Sequence, residues 1–227
     1  MKKTFSTEAA YVCGLLILAL GTALMERANF GLSMIVAPAY IFHLKLSEIF
    51  PFFTFGMAEY VFQALLILLL TVIQRKVKRY YFFSFVTAVL YGFALDGMMW
   101  AIAKIPFDTL PARGIYYAMG FLLCTLGVAF LFRTYLSPEA YELFVKEIAE
   151  RTHVSLMTCK TVYDIASCVV AIALSFLFFG WGQWKGIHWG TIVSALLNGW
   201  LIGRMTALLN RCFTFRDTFP LRKYFES

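Results

Sequence analysis

Gly14–Arg27 reads G-L-L-I-L-A-L-G-T-A-L-M-E-R, and Gly120–Arg133 reads G-F-L-L-C-T-L-G-V-A-F-L-F-R. The two stretches match without a gap at Gly14/Gly120, Leu16/Leu122, Leu20/Leu126, Gly21/Gly127, Ala23/Ala129 and Arg27/Arg133. Leu and Ala coincide easily between two apolar helices. Two glycines and a terminal arginine do not, so the pair reads as an internal repeat.

The repeat sits in a chain built for hydrocarbon. Of its 227 residues 61% are hydrophobic and 15% charged, and the mean hydropathy is +0.74. A soluble domain is nearer half apolar and a quarter charged. The apolar residues come in runs of about 20, the length that crosses a bilayer as a helix. Six such spans are expected, at about 9–25, 52–73, 80–103, 115–132, 156–179 and 191–209. The lysines of Met1-Lys2-Lys3 before an apolar run imitate a signal peptide. A cleaved leader has no reason to resemble an internal helix, so the first span is read as a transmembrane helix.

Between the spans lie two irregular pieces. Residues 28–47, broken by Gly31 and Pro38, read either as a re-entrant segment or as a surface-lying connector. Residues 138–153 alternate Tyr141, Leu143, Phe144 and Ile148 with Glu142, Lys146, Glu147 and Glu150. That pattern predicts an amphipathic helix at the interface, with Ser137 as N-cap and Pro138 in the first turn.

Six spans put both termini on one side of the membrane. With the termini inside, fifteen of the 20 Lys and Arg fall in inner segments, most densely at Gln74–Arg79. This is the positive-inside bias, so the net charge of +7 is read as topology rather than nucleic-acid binding. Five cysteines without C-x-x-C spacing predict packed, reduced thiols.

The repeat extends past its first helix. At a shift of 107, Val86–Gly92 stands against Val193–Gly199 and Met98 against Met205; at a shift of 105, Glu59 stands against Asp164. Pro38-Ala39-Tyr40 corresponds loosely to Pro138-Glu139-Ala140-Tyr141. Each copy holds three spans, an odd number, so the copies must enter the membrane from opposite sides. The expectation is an all-α membrane protein of two inverted three-helix repeats, 1–105 and 114–210, followed by a basic cytoplasmic tail, 211–227. Transporters and channels built this way hold substrate at the repeat interface.

Trp184–Gly203, W-K-G-I-H-W-G-T-I-V-S-A-L-L-N-G-W-L-I-G, resembles the G-I-G-T-x-x-N-A-x-x-x-G signature of the YczE/YyaS/YitT-like bacterial integral membrane proteins. Ala28–Ser33 followed by Pro38 is similar to their A-G-L-G-x-x-P region, although the proline comes later here and the Trp-Asp after it is absent. The resemblance implies a multi-pass protein of the bacterial inner membrane and supplies no catalytic residues.

Ionisable groups in hydrocarbon cost at least ~2.5–3.5 kcal/mol each and mark paths or partners. Glu59 lies seven residues after Phe52, about 10 Å into its span at ~1.5 Å per residue. Asp96 lies as deep in the third span, and Asp164 lies in the fifth with Lys160 four residues before it. Glu59 and Asp164 are expected to line a central path, with Asp96, Asn198, Tyr91 and Gln63 adding polar contacts. Lys160 reads as a path residue or a snorkelling cation; Arg27 and Arg133 read as helix-ending cations or as the mouths of the path. Ala19-x-x-x-Ala23 and Gly199-x-x-x-Gly203 are expected to allow close helix packing, within the chain or in a homo-oligomer.

No catalytic triad, phosphate loop, metal cluster or cofactor motif appears, so an enzyme is not expected. The function expected is a transporter or channel for a small solute or ion, coupled to protons or cations through its buried carboxylates. The alternatives are the substrate-binding membrane subunit of a vitamin-type importer and a non-transporting accessory protein.

Overall fold

In the computed structural model, residues 3–106 and 109–219 are described, with Met157 placed by its backbone only. Lys2, Arg222, Lys223 and the end of the expected tail lie outside the described residues. The order is β1 (Lys3–Ser6), α1 (Thr7–Ala28), α2 (Ala37–Ser47), α3 (Phe55–Gln74), α4 (Arg79–Ile102), α5 (Leu110–Leu131), α6 (Ala140–Thr152), α7 (Leu156–Phe179), α8 (Trp189–Cys212) and β2 (Phe213–Arg216). Six of the helices are long and apolar enough to cross a membrane: α1, α3, α4, α5, α7 and α8.

Local chemistry sets the ends. Ser6, Thr54, Thr109 and Ser155 are N-caps whose hydroxyls accept from the backbone N–H three residues on, which satisfies a donor the first turn leaves open. Asn29, Arg75 and His153 close α1, α3 and α6 in the left-handed conformation. The fourth span starts at Leu110, earlier than expected, because Pro111 sits in its first turn behind the Thr109 cap. A proline there loses no hydrogen bond.

The two copies of the repeated stretch pack on each other. Gly14 meets Gly127 and Gly21 meets Gly120, so α1 and α5 cross antiparallel at four glycines. A Cβ on Gly21 would stand 2.7 Å from the Gly120 carbonyl oxygen, and one on Gly127 would stand 2.7 Å from the Leu18 nitrogen. With no side chains between them the backbones touch, and dispersion replaces the hydrophobic drive that lipid does not supply. Ala19 and Ala23 are fully buried in the same core, with Leu15, Leu24, Met25, Phe121, Cys124 and Val128.

Four further helices are arranged around this crossing in a matched way. α4 packs on α1, and α8 packs on α5. The short α2 lies between α3 and α7, and so does the short α6. Two features break the match: α3 lies closely along α4, whereas α7 and α8 meet only sparingly, and α4 also touches α6, whereas among the described residues α8 makes no comparable contact with α2.

α6 does not lie flat on an interface as its amphipathic pattern suggested. Its first residues, Ala140 and Tyr141, are each 1% exposed, and the Ala140 N–H donates to Gln63 Oε1 in the middle of α3 at 3.0 Å. Its last turn reaches the end of α3, where Arg151 donates to the Ile73 carbonyl. The helix therefore runs beside the second half of α3. It starts at Ala140, because Ser137 and Pro138 are engaged outside it: their carbonyls accept from Thr87 and Ser84 of α4 at 2.9 and 2.7 Å. α2 is similarly buried at its start, through Ala37, Pro38, Ala39 and Ile41.

The termini meet in a feature the sequence reading lacked. β1 and β2 pair in parallel, Lys3 opposite Phe213 through Ser6 opposite Arg216. Phe5 packs on Phe130, Phe213 and Phe215. The start of the expected tail is thus a strand.

Gly21→Val should abolish a monodisperse peak in fluorescence-detected gel filtration. Its side chain has only backbone to displace, which puts the loss at the top of the ~1–3 kcal/mol overpacking range or beyond. Gly97→Ala is the control, since a Cβ there meets nothing within 4 Å and should leave the peak intact.

Candidate functional site

The deepest polar groups converge where α6 begins. Glu59 is fully buried, and its Oε2 accepts from the Tyr141 hydroxyl at 2.9 Å and from Gln63 Nε2 at 3.5 Å. The same Gln63 amide nitrogen lies 3.4 Å from Glu139 Oε2. One side-chain amide thus stands between two buried carboxylates while its oxygen holds the first N–H of α6. Glu59 Oε1 and Glu139 Oε1 are buried without a hydrogen-bond partner.

Separate hydroxyl pairs lie elsewhere in the bundle. Tyr91 donates to Thr22 at 2.9 Å, and Thr22 lies 3.6 Å from Cys124 Sγ. Tyr11 and Thr87 share a 2.7 Å hydrogen bond. Local hydroxyl bonds of this kind keep polar atoms satisfied where water is absent. On the other short helix, Tyr40 donates to Glu26 Oε1 at 3.0 Å, much as Tyr141 does to Glu59.

Beside the cluster lies a cavity of about 660 Å³. Its walls are the 131–138 connection, α6, the start of α7 and the last half of α8. Apolar surface comes from Leu131, Phe132, Leu136 and Ile202, and polar groups from Ser137, Glu142, Lys160 and Thr206. Lys160 Nζ stands 3.7 Å from Glu142 Oε1. The lysine expected to face Asp164 along its own helix therefore forms its ion pair across to α6. Asp164 is 5% exposed, and its Oδ1 has no hydrogen-bond partner.

Gly199 and Gly203 line this cavity instead of a tight helix contact; a Cβ on Gly203 would meet nothing within 4 Å. α7 and α8 make few contacts with each other. Asn198, 8% exposed, lies beside Gly199 on the same helix.

The first residues of α3 and the last turns of α4 are held together. Gly56 of α3 and Gly92 of α4 meet backbone to backbone. Asp96 accepts from the Thr54 hydroxyl at 2.6 Å and from the Gly56 N–H at 2.9 Å. A carboxylate on the first turn of a helix meets open N–H groups and the positive end of the dipole. Asp96 thus ties α4 to α3, away from Glu59. Arg27 donates to the Ala103 carbonyl at 3.0 Å. Arg133 follows α5 near a smaller surface pocket by β2, where its Nε is buried without a hydrogen-bond partner.

The sequence reading singled out Glu59, Gln63 and Tyr91, and these do cluster. It passed over Glu139, Glu142 and Tyr141, which looked like the polar and apolar faces of a surface helix. The Pro-Ala-Tyr echo between 38–40 and 138–141 was the available signal. Among the described residues no three His, Cys, Asp or Glu side chains form a metal-ligating group.

α6 is fastened at its far end by Glu147. This 3%-exposed carboxylate accepts from Lys78 Nζ at 2.9 and 2.8 Å, from Gln74 Nε2 at 3.1 Å, and from Tyr80 and Tyr81. Burial alone would raise the Glu147 carboxyl, but the Lys78 and tyrosine hydrogen bonds outweigh it and hold it below its ordinary value. Burial likewise opposes the Lys78 ammonium, and Glu147 more than reverses this, so Lys78 is raised.

Six apolar helices around a glycine crossing, with carboxylates buried among them, define a multi-pass helical membrane protein. The chain belongs to DUF6198, a family of unknown function whose sequence profile matches residues 5–207. No curated protein and no solved structure matches it.

Glu147, lowered on folding, stabilises fully above its unfolded pKa of ~4.3, and that stability is lost as pH falls through the folded value. Lys78, raised on folding, stabilises below ~10.4 and loses this as pH rises through its folded value. Thermal melts in detergent should therefore plateau between these limits. Glu147→Gln should cost about 1–3 kcal/mol at pH 7 and flatten the acid-side fall. An unchanged acid slope would show that the pair does not hold α6.

Proposed function

We infer that this protein is a carrier for a small solute, built from two inverted repeats, which alternates between openings at its two ends. The observation that carries the reading is the sharpest mismatch in a largely matched arrangement. The free ends of α3 and α4 are clasped by Gly56, Gly92 and Asp96, while the free ends of α7 and α8 flank a cavity. At the shift of 107 that relates the copies, Gly92 corresponds to Gly199 and Asp96 to Gly203. The closed and open ends are then the same element in two states.

The exchange of glycine contacts supports the inverted relation. Swapping Gly14 with Gly120 and Gly21 with Gly127 turns one observed contact into the other. On this reading α2 and α6 are re-entrant half-helices, one per repeat, each with its start buried in the bundle. Irregular backbone at that depth is tolerated where it lines a cavity or is buried in protein, and broken helices at the repeat interface are where such carriers bind substrate.

The charge bias of the sequence places both termini in the cytoplasm, so the cavity faces inward. The resemblance to YczE/YyaS/YitT-like proteins supports a bacterial inner membrane. The cavity, apolar with one ion pair in its wall, suits a small solute with both apolar and polar parts. The reading is of a transporter rather than an enzyme, with transport coupled to an ion through the buried carboxylates.

The test is sided labelling. In a cysteine-free chain, Gly203→Cys should react with a membrane-impermeant maleimide from the cytoplasmic face at least about tenfold faster than from the other, and a transported solute should slow it. Equal rates from both faces would make the protein a channel, and no labelling from either would remove the aqueous cavity.

A further inference from the structure

Gln63 is placed unusually. Its Nε2 lies 3.5 Å from Glu59 Oε2 and 3.4 Å from Glu139 Oε2. Glu59 is 0% and Glu139 3% exposed, and each keeps one buried oxygen without a hydrogen-bond partner. A neutral amide can donate one N–H hydrogen bond to each oxygen, but it cannot compensate two negative charges. Two ionised carboxylates facing one amide in a medium without water repel each other and lose their hydration, which is why close carboxyl pairs share a proton.

The groups around the pair do not supply the missing charge. Tyr11 of α1, Tyr91 of α4, Cys124 of α5, Tyr141 and Glu142 of α6, and Tyr163 and Lys160 of α7 all feel the field of one or both carboxylates. Only Lys160 among these is positive; its field reaches Glu139, but it also faces Glu142 at 3.7 Å, so one cation is shared among three carboxylates. The two acids also come from different halves of the repeat, Glu59 from α3 and Glu139 from the residue that opens α6.

We propose that Glu59 and Glu139 form a one-proton site bridged by Gln63, loaded from the cavity past Glu142 and Lys160. The two unpartnered oxygens are where the proton can sit, one carboxyl being neutral and its partner ionised at any moment. Releasing the proton to cavity water leaves both acids charged and separates α6 from α3 by their repulsion; taking it up restores the contact. Glu142 and Lys160 line the cavity wall, three residues beyond Glu139 on α6 and opposite it on α7. Neither of the two acids is in that wall, so the site is reached through this ion pair.

That the proton drives solute movement rests on the carrier reading above; the site itself does not. Infrared spectra of the purified chain in lipid nanodiscs test the site without any solute. At pH 7 the wild type should show the carbonyl band of a buried, protonated carboxylic acid. Glu59→Gln and Glu139→Gln should each move that band or its titration midpoint by a pH unit or more, and the double variant should lose it. Absence of the band from the wild type, which needs no variant to fold, would overturn the proposal, as would a band indifferent to Glu139→Gln. The same spectra in sodium and in choline chloride separate the ions: loss of the wild-type band on adding sodium would make the occupant a metal cation and overturn the proton assignment. The spectra report on the pair whether or not the chain moves a solute, so the site and the carrier reading fail separately.

Discussion

Four glycines let two backbones touch where α1 crosses α5, and every other helix takes its position from that contact. In lipid, apolar surface gains little by leaving its surroundings, so association depends on close packing and internal hydrogen bonds. Gly14, Gly21, Gly120 and Gly127 supply the packing. The antiparallel crossing sets α4 and α8 on its two sides and leaves α3, α7 and the short α2 and α6 to fill the space around it. Larger residues at these four positions would push the halves apart and separate the polar cluster at Glu59 and Glu139.

The polar interior follows from the same arrangement. The two short helices begin inside the bundle, so the backbone ahead of α6 brings carbonyls and N–H groups that no helix of its own satisfies. Side chains of the spanning helices take over that role: Ser84, Thr87 and Gln63 bind the backbone from Ser137 to Ala140. What looks like a substrate path in sequence is in part this satisfaction of backbone. Asp96 takes part in it, accepting from the Gly56 N–H in the first turn of α3 and from the Thr54 hydroxyl. Glu59 and Glu139 do not, because each keeps an oxygen that no backbone or side chain claims.

The spanning helices were legible because a run of about 20 apolar residues has few other uses, and the likeness of α1 to α5 was legible because glycine is rare enough to align, although the likeness did not say that the two stretches pack on each other. The short helices were less so. Thirteen residues with alternating charge, as in α6, fit a surface helix and a buried one equally, and the choice depends on which groups of α3 and α4 await them. Glu139 was invisible for that reason: beside Pro138 it looked like a first-turn acid in water. The β1–β2 pair was hidden by its length, four residues per strand at opposite ends of the chain. Gly203 carries a packing pattern that meets no other helix among the described residues, since a Cβ there has nothing within 4 Å.

The central claim is that the clasp at α3–α4 and the gap at α7–α8 are two states of one repeated element. Spin labels at Phe52 and Trp100 span the clasp, and labels at Leu156 and Leu208 span the gap; all four positions are exposed. Pulsed electron paramagnetic resonance in nanodiscs gives both distances. The account predicts that conditions lengthening the Phe52–Trp100 distance shorten the Leu156–Leu208 distance. Two single distances that stay fixed across pH and solute conditions, or that lengthen together, would contradict it.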